Sequence, residues 1–205
     1  MNRKTMNAIQ LDTGDALIVV DLQVDFLPGG ALGVPRGDEV IEPITRLINL
    51  FRQQGLPIYA SRDWHPENHV SFAERGGPWP PHCVAGTAGA AFSDRLDFPP
   101  ETVIVSKADT ADADAYSAFN GTGLAAKLRE RGVERVVVCG LATDYCVLNT
   151  ANDALENGFA VLVVPEAVRA VDVQPGDGER ALAAMVARGA QQVGLDALAT
   201  AATPA

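Results

Sequence analysis

The sequence predicts a single-domain α/β fold: one mostly parallel sheet of about six strands, flanked by helices on both faces. Three observations carry this. Short, near-continuous apolar runs rich in β-branched residues recur along the chain, as strands buried on both faces require. Segments with helical periodicity alternate with them and stop at glycines. No internal repeat and no domain-breaking linker interrupts the 205 residues, so residues 1–205 read as one domain.

The elements follow in order. "ALIVV" (16–20) is the first strand. "DEVIEPITRLINLFRQQG" is a helix, with Val40, Ile44, Leu47, Ile48 and Phe51 on one stripe and Gly55 as its stop. Pro43 is tolerable there only in the first turn. "PIYAS" (57–61) and "TVIVS" (102–106) are the next strands, and "GLAAKLRERG" is the helix after them. "RVVVC" (135–139), helical "DYCVLNTANDALENG", "AVLVV" (160–164) and helical "GERALAAMVARG" continue the alternation, with "QQVG" (191–194) as a short last strand. The stretch from Asp63 to Pro100 breaks the pattern. It is rich in Pro, Gly and His, and a loop that long in a compact domain is functional or disordered. The termini, about 1–13 and 197–205, are expected to fray.

A composition of 47% hydrophobic and 20% charged residues supports a real core without disulfide staples. The formal net charge is −10 with no Lys/Arg cluster, which argues against a nucleic-acid partner. No apolar run is long enough to span a bilayer, and the opening "MNRKTMNAIQLDTGD" lacks an apolar signal region. The expectation is a cytoplasmic protein without a membrane partner. Cys83, Cys139 and Cys146 are the only cysteines, too few and too odd in number for a disulfide framework, and no C-x-x-C pair suggests a zinc ribbon.

In open parallel sheets, ligands bind beyond the carboxyl ends of the strands. Those ends deliver Asp21, the run Arg62-Asp63-Trp64-His65, Lys107, and "GLATDYC" leading into a helix. Cys139 closes an apolar strand and reads as a packed thiol. Cys146 falls at the start of the following helix, where the helix terminus and a nearby Lys107 favour a thiolate. A second packed thiol is the alternative. Asp21 follows four apolar residues, where a carboxylate needs a partner; a helix cap or a lone salt bridge is the plainer reading. Asp25, close by, reads as structural, and Lys107 taken alone reads as a solvated lysine. Together they have a clear chemistry. Asp21 takes the thiol proton and returns it to a leaving amine, and Lys107 keeps Asp21 ionised and oriented.

All three histidines, His65, His69 and His82, lie in the irregular 63–100 stretch. Asp63 and His65, two apart on extended chain, face the same way. His82 completes a set of two imidazoles and one carboxylate with open positions for a metal. A hydrogen-bonded loop histidine is the alternative for each taken singly. His69 is either a fourth ligand or a group supporting the ligands, and Cys83 reads as buried.

The segments "VVDLQVDFLPGG", "SRDWHPENHVSF", "WPPHC", "GTAGA", "VSKADT…DAYSAF" and "GLATDYCVLNTANDAL" resemble the isochorismatase-like hydrolases, and within them the nicotinamidase/pyrazinamidase family. They cover most of the chain in family order. The resemblance implies a catalytic triad of Asp21, Lys107 and Cys146 and a divalent metal (zinc, or else iron or manganese) on Asp63, His65 and His82. It also implies a cis peptide before Ala142, with an oxyanion hole from the backbone N–H groups of Ala142 and Cys146. Phe26, Trp79 and Tyr116 would form the aromatic substrate pocket, with Tyr145 beside the nucleophile. The implied reaction is deamidation of nicotinamide to nicotinate and ammonia, and of pyrazinamide likewise, through a thioester on Cys146. A homo-oligomer is compatible with the resemblance. Two departures bear on substrate preference: Ala108 where many relatives have Gly, and the acidic loop "ADTADADA" before Tyr116. The rivals are a sister amidase acting on another small amide and a non-catalytic metal or thiol redox module.

Overall fold

The structure is a computed structural model that describes residues 9–200. In chain order the regular elements are β1 (Ile9–Leu11), β2 (Asp15–Val20), α1 (Ile41–Gln54), β3 (Ile58–Asp63), β4 (Val103–Lys107), α2 (Leu124–Glu130) and β5 (Arg135–Leu141). They continue with α3 (Leu148–Glu156), β6 (Ala160–Arg169), α4 (Asp177–Ala187), β7 (Gln191–Gln192) and β8 (Leu198–Thr200). Six strands form the main sheet in the order β4-β3-β2-β5-β6-β7, and every pairing is parallel. The chain builds outward from β2 to β4, then restarts on the other side of β2 with β5. The β2/β5 boundary is therefore the point at which the winding reverses.

Helices cover both faces, as the alternation predicts. α1 packs Ile41, Ile44, Leu47, Ile48 and Phe51 against Leu17, Val19, Val137 and Cys139 on one face. α2, α3 and α4 bring Leu124, Leu128, Ala151 and Met185 to Ile18, Val20, Val136 and Val138 on the other. Alternate residues of β2 and β5 thus point into different halves of the core. Pro43 is the third residue of α1, where no intrahelical N–H is lost. Gly55 closes that helix with φ 65; its N–H reaches Arg52 O, and Leu56 N–H reaches Phe51 O.

The expected fraying of the ends does not hold over 9–13 and 197–200. β1 pairs in parallel with β8 as a separate two-stranded sheet. Leu11 is fully buried, and Arg135 donates to Gln10 O at 2.9 Å. Strands of three residues carry too little periodicity to be read from sequence. The rest of that expectation, residues 1–8 and 201–205, lies outside the described residues. No helix among the described residues is long and apolar enough to cross a membrane.

Residues 64–102 contain no strand and only one short turn of helix, Ala73–Arg75, yet they are packed. Phe72, Cys83 and Ala90 are buried, and single bridges join His65 to Val84, Phe72 to Trp79, and Gln23 to Phe92.

Candidate active site

Four neighbouring strands each deliver one reactive group to the same rim. Asp63 ends β3 and Lys107 ends β4, and the two are direct register partners. Asp21 follows β2, where the chain turns out of the sheet with φ 46. Cys146 follows β5 through a wide turn, Thr143–Val147, that precedes α3. Gly140 lets this happen. Its φ is 119, and a Cβ there would lie 2.1 Å from Val20 O, so any side chain would push β5 away from β2 just before Asp21. The Leu141–Ala142 peptide beyond it is cis, as the resemblance implies.

Lys107 is the hub, and it is buried rather than solvated. Its Nζ donates to Asp63 Oδ1 and, at 3.2 Å, to Ala115 O. It lies 3.0 Å from Asp21 Oδ2 and 3.5 Å from Cys146 Sγ. Asp21 is also fully buried, and its two oxygens are unlike. Oδ1 accepts from Ser61 Oγ at 2.7 Å. Oδ2 has the ion-pair contact with Lys107 but no well-aligned hydrogen bond among the described residues, so it retains capacity for a proton. The Cys146 thiol is a near neighbour: one polar atom each of Asp21, Asp63 and Cys146 lie within 4.8 Å of one another.

Burial pushes the Cys146 thiol well above its ordinary pKa; Lys107 offsets this only in part, and Asp21 and Asp63 add to it. The pull of the helix start and Lys107 towards a thiolate is thus opposed by burial of the thiol. Burial also raises the Asp21 carboxyl, against the pull of Lys107. For Asp63, burial is outweighed by Lys107 and His65, which hold it well below the usual carboxylate range. Burial would lower Lys107, but its two carboxylates raise it well above the ordinary lysine value. One permanent ammonium thus serves two carboxylates with different roles: Asp63 a fixed anion, Asp21 the more basic group.

Asp63, His65 and His82 converge, with one donor atom of each within 4.8 Å of the others. The Nδ1 of His65 contacts Ala108 O at 3.1 Å, and the Nδ1 of His82 contacts Pro80 O at 2.8 Å. A carbonyl can only accept, so each Nδ1 carries a proton and Nε2 is the nitrogen each ring can offer a metal. The donor set of two imidazoles and one carboxylate fits a divalent ion. His69 does not join them. Its Nδ1 is held by Ser71 Oγ at 2.7 Å and its Nε2 by Ala113 O at 3.0 Å. It stacks instead on His65, centroids 4.2 Å apart, and stands outside the Asp63–His65–His82 group.

Phe26, Trp79, Tyr116, Tyr145, Ala142 and Cys146 line one compact cleft of about 70 Å³, with Asp63 and His82 also on its wall. The aromatic residues brace one another. Trp79 Nε1 donates to Tyr116 Oη at 3.0 Å, and Tyr145 packs edge-on to Trp79 at 5.5 Å. Phe26 sits 5.7 Å from the His82 ring. The cleft is apolar on its faces and chemically loaded at one end, as suits a small flat ligand.

The other singled-out residues are structural. Cys139 is fully buried beside Ile18 O, and burial raises its thiol. Cys83 is buried and likewise raised by burial. Asp25 Oδ2 accepts from Cys83 N at 2.7 Å, which secures the strap carrying His82. Ala108 has φ 50, a conformation that glycine adopts without penalty, and its carbonyl holds His65. The acidic loop is tied down by Arg75, which donates to Asp112 Oδ1 at 2.9 Å and to Ala111 O at 3.2 Å. Two residues of the site escaped sequence reading, Ser61 and Gln23. Their only signal is a polar side chain where the apolar pattern expects none.

Residues 15–197 match the isochorismatase domain. The chain is 39% identical to a nicotinamidase of Escherichia coli K12 over 196 residues, covering 85% of this chain and 92% of that protein. Among solved structures it is similar to a pyrazinamidase of Pyrococcus horikoshii in complex with zinc: 54% identity, TM-score 0.85, 88% of this chain and 99% of that one. It is also similar to the PnC1 protein of L. infantum in complex with nicotinate: 39% identity, TM-score 0.88, 95% of this chain and 100% of that one. Domain match, whole-chain likeness and shared fold agree, and the chain belongs to the isochorismatase family, within its nicotinamidase/pyrazinamidase group.

Proposed function

We propose that this chain hydrolyses the carboxamide of nicotinamide, and of pyrazinamide likewise, giving the carboxylate and ammonia. The observation that carries the reading is one buried ammonium, Lys107, joining a thiol–carboxylate pair to a carboxylate–imidazole cluster at the mouth of an aromatic cleft.

The aromatic ring lies among Phe26, Trp79 and Tyr116 with its carboxamide at Cys146. Asp21 Oδ2 accepts the thiol proton while Lys107 holds both groups in place. The thiolate attacks the amide carbon, and the oxyanion meets the backbone N–H groups of Ala142 and Cys146. Asp21 passes its proton to the amide nitrogen, and ammonia leaves. Water, deprotonated by Asp21, cleaves the thioester and restores the thiol. Asp63, His65 and His82 would hold a divalent ion, zinc first, which when bound supplies a Lewis acid for a ring nitrogen.

The thiol already provides the nucleophile, so the ion is assigned to reading the ring. Chelation or His82→Ala should lower nicotinamide hydrolysis roughly a hundredfold, in KM as well as kcat. Benzamide, which lacks the ring nitrogen, should lose little. The measurement is ammonia release from both amides with and without metal. Equal loss on both, from folded protein, would refute the ring-reading role. Turnover of other small amides but not nicotinamide would favour the sister-amidase reading, and no ammonia from any amide would favour a binding module.

A further inference from the structure

β2 leaves the sheet too early to hold the end of β3. Its last ladder pair is Val20 with Ser61, and the next residue, Asp21, turns away. Asp63 lies two residues further along β3. Lys107 pairs with it on one side, but its own N–H and C=O point to the side that β2 has vacated. The side chain of Gln23 fills that place. Its Oε1 accepts from the Asp63 N–H at 2.8 Å, and its Nε2 donates to the Asp63 carbonyl at 2.8 Å. The second Nε2 hydrogen goes to Ala90 O at 2.9 Å. A primary amide carries the same donor and acceptor as a peptide unit, so Gln23 continues the missing strand with a side chain. It is fully buried, with both N–H donors engaged.

We infer that Gln23 is a positioning residue for the metal site: it clamps both the N–H and the C=O of Asp63 and so aims that carboxylate at the cluster with His65 and His82. The inference rests on the reading that these three residues hold a divalent ion. Asp63 ends its strand, and strand ends fray unless both backbone groups are satisfied. The clamp removes that freedom, and through Ala90 it also fixes the loop that runs back past His82.

The test is zinc retention by the loaded full-length protein against a competing chelator. Gln23→Met keeps the length of the side chain and removes all three bonds. It should weaken zinc retention about 10–100-fold, the range seen when groups behind metal ligands are lost. Amide hydrogen exchange at Asp63 should quicken in the same variant. Leu47→Ala, in α1 and remote from the rim, serves as a destabilised control and should retain zinc within about twofold. If Gln23→Met does not fold, Gln23→Glu, which keeps the acceptor for the Asp63 N–H and loses the donors, should show the same direction. Unchanged retention in a folded Gln23 variant overturns the proposal, as does equal loss in Leu47→Ala. His82→Ala separates the two claims: if it retains zinc as well as the unaltered protein, the metal-site reading itself fails. If it loses zinc while the Gln23 variants do not, only the clamp fails.

Discussion

Cys146→Ala abolishes ammonia release, with a fall of at least about 10⁴-fold, while Cys139→Ala stays close to the unaltered enzyme. The two thiols are seven residues apart in sequence and in different worlds. Sγ of Cys146 lies 3.5 Å from Lys107 Nζ and within 4.8 Å of an Asp21 carboxylate oxygen. Sγ of Cys139 faces a backbone carbonyl of β2 in the core, with no charged partner. Removing the first takes away the bond-forming atom. Removing the second leaves a small void costing about 1 kcal/mol of stability. Steady-state ammonia assays on both variants, with thermal melts as a control, decide it. Comparable activity loss in a folded Cys139→Ala protein would sink the assignment.

Asp21→Asn lowers kcat roughly 10²–10⁴-fold while leaving metal content and fold in place. An amide fills the same space and can still accept from Ser61, but it cannot take the thiol proton. Burial raises the Cys146 thiol, which makes a base beside it matter more. The alkylation rate of Cys146 should therefore fall alongside kcat. Near-normal turnover, or unchanged thiol reactivity, would remove Asp21 from the role of base.

Much of this was legible in the sequence because parallel sheets are simple objects. Apolar runs mark strands buried on both faces, so the residue after each run must emerge at one rim. Asp21, Asp63, Lys107 and Cys146 could be gathered there on that rule alone. What could not be read is what depends on burial and on the third dimension. The burial that raises the Cys146 thiol is not revealed by spacing. The place of His69 turned on two hydrogen bonds, to Ser71 and to Ala113, the latter forty-four residues away. β1 and β8 stabilise one another across almost the whole chain, and neither is long enough to declare itself. Gln23 was hidden in plain sight between apolar neighbours, because its partners are backbone groups rather than side chains.

The reversal of winding between β2 and β5 also orders the assembly of the site in time. Asp63, His65 and His82 fall within twenty residues of one another, and the strands that carry or brace them, β2, β3 and β4, are laid down in succession on one side. The nucleophile comes from the other side, and Cys146 meets Asp21 across a chain separation of 125 residues. Such distant contacts form late, because the loop must close before anything rewards it. A refolding chain should thus acquire ion-binding capacity before catalytic competence, and an ion present early would trap the half-built rim on the productive path. Stopped refolding, followed by zinc uptake and by ammonia release, should give two separate time courses with the metal signal leading.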